Sequence, residues 1–375
     1  MNRPATPPRA SADGGVPESD VNGPDDLTRL AAELRAEARP GLTFMEVCGT
    51  HTMAIARYGL RQLLPEGMRL VSGPGCPVCV TAVADLDKVV ALARLPEVTL
   101  ATFGDLIRVP ASTTTLAGER AAGADVRVVY SPRDAVQLAA DEPEREVVFA
   151  GIGFETTAPT VAASLLEARE RGIRNFSVLS LHKTMPLPLK ALLELGETPI
   201  SGFLLPGHVS VITGTACYEF LARDYGVAGV VAGFEPHDVL LALLRLVRME
   251  APAIAIEYGR AVRPEGNPVA QGILEQVFAP TDADWRGLGV IPGSGLGLRE
   301  EFAEMDASVR FAIAPGPALE PAGCRCGEVL RGVLDPAACA LFGRRCTPQD
   351  PVGACMVSSE GACAARYRFR DVDDD

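Results

Sequence analysis

Cysteine dominates the chemistry that this sequence can carry out. Of ten cysteines, Cys76 and Cys79 frame a Cys-Pro-Val-Cys turn, and six more crowd the segment from Cys324 to Cys363. A Cys-x-x-Cys turn between a strand and a helix is expected to lower the pKa of one thiol, because the helix N-terminus favours the thiolate. The turn therefore predicts redox exchange or metal capture, and half of a structural zinc site is the alternative.

Cys48 follows another predicted strand, in the segment Cys-Gly-Thr-His-Thr. If the strand ends are neighbours, Cys48, Cys76 and Cys79 together supply three thiolates and leave a position open on an exchangeable metal. Iron(II) and zinc both accept such ligands, so ligand softness does not separate them. We interpret His51, in the same segment, as a candidate catalytic group that ligates or donates a hydrogen bond.

Several other polar residues stand in loops that follow predicted strands. Glu155, in Gly-Phe-Glu-Thr-Thr, and Asp105 are candidate acid/base or metal-supporting groups, and loop capping is their alternative role. We interpret His182 and His208 as structural, because a lone histidine is more often a satisfied part of the fold than a ligand.

The six C-terminal cysteines are spaced too irregularly for the paired Cys-x-x-Cys motifs of a zinc ribbon. They are Cys324, Cys326, Cys339, Cys346, Cys355 and Cys363. Four thiolates can hold a [4Fe–4S] cluster, which leaves two for a dithiol/disulfide pair. The spacing does not decide which four bind, and a zinc site remains the alternative.

Predicted strands and helices alternate through the chain before these cysteines. Short β-rich runs occupy residues 42–47, 68–71, 98–103, 126–130, 146–150, 176–181, 200–205 and 227–231. Helical spacing between them indicates parallel sheets of the α/β class. Because ligands bind outside the carboxyl ends of parallel strands, where these motifs fall, we expect the site in a cleft between two α/β halves.

This pattern predicts four parts of the chain. Residues 1–26 have almost no large apolar side chains, so we expect a disordered tail. Residues 27–145 are predicted to form α/β domain I with Cys48 and the Cys-x-x-Cys loop, and residues 146–315 a related α/β domain II. Residues 316–375 are predicted to form a small Cys-rich iron–sulfur domain.

Charge and hydropathy exclude some classes of function. The formal net charge of −13 and the pI of about 4.9 argue against a nucleic-acid partner, since phosphate binding needs clustered Lys and Arg. We expect no membrane association, because no run approaches the roughly 18 apolar residues of a membrane helix. Without a secretory signal, the protein is expected in the cytoplasm, where reduced thiols serve as metal or redox ligands.

The cysteine motifs stand in a fixed order with other long segments. These segments cover residues 46–55, 72–81, 153–159, 206–210, 324–328 and 353–363. Together they resemble the signatures of the HypD family of [NiFe]-hydrogenase maturation factors, and the resemblance covers roughly residues 40–370. Several long motifs in one order are far more specific than a single Cys-x-x-Cys turn.

The resemblance implies a scaffold that works with the small chaperone HypC and the cyanide-delivering HypE to build the Fe(CN)₂CO group of [NiFe] hydrogenases. It implies iron-site and thiol-redox roles for Cys48, Cys76 and Cys79. It also implies cluster ligands at Cys324, Cys339, Cys346 and Cys363, with Cys326 and Cys355 as a redox pair. Electrons would enter through the cluster and pass to Cys76 and Cys79.

Two other functions remain open at this point. One is a [4Fe–4S]-dependent thiol–disulfide reductase, in which Cys76 and Cys79 reduce a protein and no mononuclear iron binds. The other is a zinc-stabilised interaction protein without catalysis. Iron, zinc and acid-labile sulfide contents distinguish the three.

Overall fold

A computed structural model describes residues 24–370. The strands of this part of the chain are β1 Thr43–Glu46, β2 Arg69–Ser72, β3 Val98–Thr102, β4 Val126–Val128, β5 Glu146–Gly151, β6 Phe176–Ser180, β7 Gly202–Pro206, β8 Ala228–Ala232, β9 Ile254–Ile256, β10 Phe278–Trp285 and β11 Gly289–Leu298. All eight predicted strands are present. The three that the sequence pattern missed are β9, β10 and β11.

Helices follow most of the strands. They are α1 Pro24–Glu37, α2 Gly49–Arg57, α3 Pro77–Val80, α4 Val83–Ala93, α5 Leu116–Ala121, α6 Pro132–Asp141, α7 Ala158–Glu170, α8 Pro186–Leu195, α9 Gly207–Thr213, α10 Glu219–Tyr225, α11 Pro236–Arg248, α12 Pro268–Val277, α13 Ala307–Arg310, α14 Cys326–Leu330, α15 Ala354–Val357 and α16 Ala362–Arg368. Short 3₁₀ turns connect several of them. Within residues 24–370 there is no helix that combines the length and the apolar character needed to cross a membrane.

Two parallel sheets form the centre of the molecule. The larger has the strand order β2-β1-β7-β8-β9, and the smaller has the order β4-β3-β5-β6. Central strands such as β7 and β8 are buried along their whole length, as expected when helices cover both faces of a parallel sheet. The predicted α/β class with two parallel sheets and a Cys-rich C-terminal region is confirmed.

The sheets group the strands differently from the predicted division at residue 145. Strands β5 and β6, which follow that position, pair with β3, whereas β1 and β2 pair with β7. The chain therefore crosses from the larger sheet to the smaller and back. Local periodicity predicts a strand, but its partner depends on contacts distant in sequence, so the spacing did not reveal this grouping.

The β10–β11 hairpin escaped prediction because its sequence is rich in Gly and Pro and lacks the alternation of a half-buried strand. It forms an antiparallel pair with an irregularity between Thr281 and Ala283. Its turn extends toward the helix α3 that carries Cys79, where Trp285 bridges to Thr81. The hairpin therefore touches the predicted redox turn.

At the N-terminal side, the predicted tail of residues 1–26 falls mostly on residues 1–23, which lie outside the described part. Residues from Pro24 onward belong to α1, which packs on α11 through the buried Leu30 and Leu34. Burying each of these leucines contributes about 1.5–3 kcal/mol. Arg248 of α11 also pairs with Glu33 and Glu37 of α1.

Candidate functional site

The carboxyl ends of five parallel strands surround one cleft of about 300 Å³. Strands β1, β2 and β7 of the larger sheet and strands β3 and β5 of the smaller sheet each contribute the loop that follows them. The side chains in its lining that could bind a ligand or take part in a reaction are Cys48, Thr50, Asp105, Thr156, Thr157, His208 and Glu360. The cleft therefore lies between the two sheets, where the strand-end motifs predict a site.

Cys48 reaches the cleft because two loops are packed backbone to backbone. The amide of Gly49 donates to the carbonyl of Gly75 at 3.0 Å. A Cβ atom on Gly75 would lie only 2.2 Å from the Cys48 nitrogen, so the loop after β2 can approach the loop after β1 only with glycine at this position.

The buried carboxyl group of Glu46 holds the Cys48 loop in place through hydrogen bonds. Glu46 accepts hydrogen bonds from the Cys48 amide at 3.1 Å and from the Thr52 hydroxyl at 2.6 Å. Burial raises the pKa of Glu46 to about 7, against the opposing effect of its hydrogen-bond donors. Glu46 thus fixes the start of α2, from which Cys48 projects.

The surroundings of Cys48 favour the protonated thiol. Burial raises its pKa to about 12, and the charges of Glu360 and Glu46 act in the same direction, while the backbone amides of His51 and Thr50 oppose it. A metal ion that binds Cys48 must therefore displace a proton, so the affinity should rise with pH.

Glu360 is a cleft residue that sequence reasoning missed. It comes from the C-terminal segment and its carboxylate accepts a hydrogen bond from the Thr50 hydroxyl at 3.0 Å. Burial raises the pKa of Glu360, and the nearby charge of Asp105 adds to this effect. The available signal was an acidic residue inside the last cysteine motif, Ser-Ser-Glu-Gly-Ala-Cys.

Cys76 and Cys79 are absent from the lining of the cleft. Cys76 is the N-cap of α3, and its sulfur accepts a hydrogen bond from the Cys79 amide at 3.3 Å. Both side chains are buried, and the Cys79 thiol interacts with the thiols of Cys355 and Cys76. The structure therefore does not gather Cys48, Cys76 and Cys79 around one point, although their loops touch.

The lowered pKa predicted for one thiol of this turn is not found at Cys79. Burial raises the pKa of Cys79 well above its ordinary value, and the thiols of Cys355 and Cys76 add to the effect. The helix α3 has only four residues, so its dipole is small, and desolvation of the thiolate outweighs it.

Five C-terminal cysteines line a second, apolar cavity. They are Cys324, Cys326, Cys339, Cys346 and Cys363. Gly353 closes one side of the cavity, and a Cβ atom there would lie 2.4 Å from the Cys324 sulfur. The Val352 amide donates to the Cys346 sulfur at 3.4 Å. The fold thus directs thiols from three separate stretches of chain toward one space.

Cys355 lies between this cavity and the Cys-x-x-Cys turn. Its amide donates to the Cys326 sulfur at 3.4 Å. Its thiol neighbours those of Cys326, Cys363 and Cys79, and their interaction lowers the pKa of Cys355 despite its burial. A continuous line of thiols therefore runs from the cavity to Cys76.

The donor set of the cavity consists of thiols, which are the ligands that iron–sulfur clusters take. In residues 24–370 no three His, Cys, Asp or Glu side chains converge as the ligands of one metal ion would. A cluster instead takes thiolates distributed around a larger inorganic core, which is what several cysteines facing an apolar cavity can supply.

Two predicted catalytic side chains face away from the cleft. The His51 Nε2 bonds the carbonyl of Gly233 at 2.9 Å, and burial lowers the pKa of the ring to about 4. Glu155 accepts from the Met185 amide at 3.0 Å, and burial raises its pKa to about 7. Neither residue belongs to the lining of the cleft. In this geometry both hold loops in place.

The remaining loop residues divide between cleft and interior. Asp105 lies in the cleft. His208, interpreted as structural, also lines it and stacks on Phe234 with ring centroids 3.9 Å apart. His182 is buried next to Ser180, whose hydroxyl lies 3.1 Å from its Nδ1. His208 therefore has access to a cleft ligand, and His182 has none.

Comparison with known proteins places this geometry in context. The family described as HypD, hydrogenase formation hypA family, matches residues 26–370. The hydrogenase maturation factor HypD of Cupriavidus necator is 47% identical over 360 residues, which cover 92% of this chain and 95% of that protein. HypD of Escherichia coli K12 is 46% identical over 359 residues, covering 95% and 96%. The hydrogenase expression/formation protein HupD of Azotobacter chroococcum is 48% identical over 353 residues, covering 91% and 93%.

Proposed function

The chain belongs to the HypD family of hydrogenase maturation factors, and on that premise we propose that it is a redox-active scaffold for assembly of an Fe(CN)₂CO group. One observation carries the proposal. A continuous line of thiols leads from a cysteine-lined cavity through Cys355 to Cys79, whose turn packs against the loop of Cys48. The site thus combines a thiol for iron with a separate route for electrons.

In this proposal iron is the cargo, and Cys48 is its ligand in the cleft. Cys48 is the one thiol in the lining of the cleft, so a single protein thiolate would donate electron density to Fe(II) and leave the other positions open. These positions suit cyanide, carbon monoxide and a donor from another protein. Cys76 and Cys79 then act in redox exchange rather than in direct ligation, because they face the C-terminal segment.

The proposed [4Fe–4S] cluster is held by Cys324, Cys339, Cys346 and Cys363. When bound, the cluster would supply electrons one at a time to a Cys326–Cys355 disulfide, which takes two electrons and two protons to become the dithiol. Cys326 is not a cluster ligand in this proposal and forms the redox pair with Cys355. Its sulfur accepts a hydrogen bond from the Cys355 amide and neighbours the Cys355 thiol.

The proposed exchange transfers two electrons between two cysteine pairs. The Cys326/Cys355 dithiol becomes a disulfide while the Cys76–Cys79 disulfide becomes a dithiol, so two protons and two electrons move between the pairs and none is lost. Only the reduced Cys76/Cys79 pair can then pass electrons on toward the neighbouring cleft.

The proposed partners are a HypC-like small chaperone and a HypE-like cyanide donor, and the proposed location is the cytoplasm. The cleft supports this proposal because it offers few metal ligands of its own, so a second protein must complete the coordination of the iron. Reduced cytoplasmic thiols also match the exchange chemistry.

Infrared spectroscopy tests the scaffold function. The full chain is purified anaerobically with its HypC-like partner and examined in the cyanide and carbonyl stretching region. We expect both sets of bands. We expect a Cys217→Ser chain to retain them, because Cys217 lies outside the cleft, the Cys-x-x-Cys turn and the C-terminal cavity. Absence of these bands from an iron-loaded complex would contradict the proposal.

A [4Fe–4S]-dependent thiol–disulfide reductase is the second candidate. It is favoured by the separation of Cys76 and Cys79 from the lining of the cleft. Metal analysis distinguishes the two, because the scaffold should hold clearly more than about four iron atoms per chain and the reductase about four. Zinc without acid-labile sulfide would favour a zinc-stabilised interaction protein instead.

A further inference from the structure

The turn of the β10–β11 hairpin lies between the Cys-x-x-Cys helix α3 and the cysteine-bearing helix α14. On one side the Arg286 amide donates to the Val80 carbonyl at 2.8 Å. On the other side Gly287 touches Gly327, which follows Cys326 at the start of α14. A Cβ atom on Gly287 would lie 2.4 Å from the Gly327 Cα. The hairpin turn therefore contacts both the Cys-x-x-Cys helix and a cysteine-bearing helix.

The Arg286 guanidinium binds the end of the Cys-x-x-Cys helix. Its Nε donates to the carbonyl of Cys79 at 3.1 Å, and its Nη2 donates to the carbonyl of Thr81 at 2.9 Å. The third nitrogen, Nη1, pairs with the carboxylate of Glu320 at 2.7 Å. Only 4% of Arg286 is exposed, so its bonds to the two carbonyls are made away from water, whereas Glu320 lies at the surface.

A helix as short as α3 needs such external support. Four residues are far below the length at which a helix is stable alone, and its final carbonyls have no partners within the helix. A buried carbonyl without a donor costs about 1–3 kcal/mol. The planar fork of Arg serves two carbonyls at once, whereas the single ammonium of Lys has no matching geometry.

We propose that Arg286 is a positioning residue that holds the Cys79 sulfur in line with the Cys355 sulfur for thiol–disulfide exchange. The inference rests on the proposed thiol relay and adds to it the group that aligns its central step. In that step the Cys355 thiolate attacks Cys79, the Cys76–Cys79 bond breaks, and the Cys79–Cys355 bond forms. Cys355 has given up its proton, and the released Cys76 thiolate gains one.

Alignment matters because this exchange passes through three sulfurs in a row. The Cys326 thiolate then attacks Cys355 and releases Cys79, which completes the two-electron transfer. Well-oriented groups in one molecule react as if at very high concentration, and a displacement of about 1 Å can cost 10²-fold. A group that holds the Cys79 backbone against the hairpin therefore sets the effective concentration of the Cys79 sulfur at the Cys355 sulfur.

The test measures that effective concentration directly. In full-length chains that carry Cys76→Ser and Cys326→Ser, the Cys79–Cys355 disulfide can form, and peptide mapping distinguishes it from a disulfide between Cys355 and the neighbouring Cys363. The chains are equilibrated with mixtures of reduced and oxidised dithiothreitol, quenched in acid, alkylated after unfolding and counted by mass spectrometry. The reductant and oxidant are then defined, and the equilibrium constant reports the geometry of the two sulfurs.

We expect Arg286→Gln and Arg286→Lys each to lower this equilibrium constant about tenfold, which corresponds to about 30 mV. Two controls should stay within about twofold of the parent chain. Glu320→Gln removes the exposed partner but keeps the fork on the two carbonyls. Arg331→Gln is the matched arginine change, because Arg331 at the end of α14 donates to the Gly287 carbonyl of the same turn and not to the Cys-x-x-Cys helix.

Gly327→Ala tests the same alignment from the other side if an Arg286 variant does not fold. Its new Cβ would lie 2.8 Å from the Gly287 Cα, so the turn must move away from α14. We expect a several-fold lower equilibrium constant. Wild-type values for Arg286→Lys, or for both Arg286→Gln and Gly327→Ala, would overturn the positioning role. A parent chain that never forms the Cys79–Cys355 disulfide would instead overturn the relay itself.

Discussion

The thiol of Cys79 neighbours the thiol of Cys355, because the helix α3 packs against the helix α15 of the C-terminal segment. Cys79 follows the edge strand β2, and Cys355 lies in the short helix α15. This contact joins the Cys-x-x-Cys turn to the cysteine-lined cavity. In the proposed relay, electrons can therefore move between the two sets of thiols without passing through the cleft that contains Cys48.

Replacing Cys355 should interrupt the transfer of electrons between the two thiol groups. We expect Cys355→Ser to slow the reduction of an oxidised Cys76–Cys79 pair by dithionite at least tenfold, because within residues 24–370 Cys355 is the C-terminal thiol that interacts with Cys79. Anaerobic alkylation with mass spectrometry follows the reduction over time. Cys217→Ser is the control and should reduce at the parent rate, whereas a parent rate in Cys355→Ser would remove Cys355 from the route.

The brown chromophore of the proposed cluster should depend on the C-terminal cavity alone. Cys339→Ala and Cys346→Ala each remove a thiol from its lining, so we expect loss of the visible absorbance and of acid-labile sulfide. Cys76→Ala should keep both, since Cys76 lies outside the cavity. Loss of the chromophore in the Cys76 variant would show that the two thiol groups are not independent sites.

Cys48→Ala should act only on the iron cargo. We expect the cluster absorbance and the far-ultraviolet circular dichroism to remain, and the cyanide and carbonyl infrared bands of the complex with the HypC-like partner to disappear. The loss should be local, because the cleft contains no second thiol to take the place of Cys48. An unchanged infrared spectrum would exclude Cys48 as the iron ligand.

Glu155 should make the stability of the protein fall as the pH rises. Burial raises its pKa from 4.5 to about 7, so between these values the folded chain holds a proton that the unfolded chain has lost. Stability from this group therefore decreases from about pH 4.5 to 7 and is constant above, with a total change on the order of 3 kcal/mol.

Urea unfolding of the parent chain and of Glu155→Gln at several pH values between 5 and 8 measures this effect. The glutamine keeps an oxygen for the Met185 amide and does not titrate. Glu46 has a similar shift in both chains, so their difference isolates Glu155. We expect the variant to gain stability relative to the parent as the pH rises, and parallel curves would contradict this account.

Gly75→Ala should destabilise the fold around Cys48. The new Cβ would meet the Cys48 nitrogen at 2.2 Å and the Val47 carbonyl carbon at 2.3 Å, and both are backbone atoms that cannot rotate away. We expect a loss of about 1–3 kcal/mol in the free energy of unfolding. Gly272→Ala in α12, where a Cβ meets nothing within 4 Å, is the control and should be neutral or stabilising.

The sequence by itself determined the α/β class, the positions of eight strands and the location of each motif at a strand end. These features depend on local information, since hydrophobic periodicity and turn residues act over a few positions. The expectation that the Cys48 loop and the Cys-x-x-Cys loop meet was sound at the level of the backbone, where Gly49 bonds Gly75. The resemblance to the HypD family also came from the order of the motifs.

Only the tertiary structure decided which way the side chains point. Cys48 faces the cleft, whereas Cys79 faces Cys355, because α3 is held by the Arg286 guanidinium and by packing against α15. Glu360 enters the cleft for the same kind of reason, as the C-terminal segment folds back over α2. Such contacts join residues hundreds of positions apart, and their direction depends on how whole elements pack, which no local spacing of residues records.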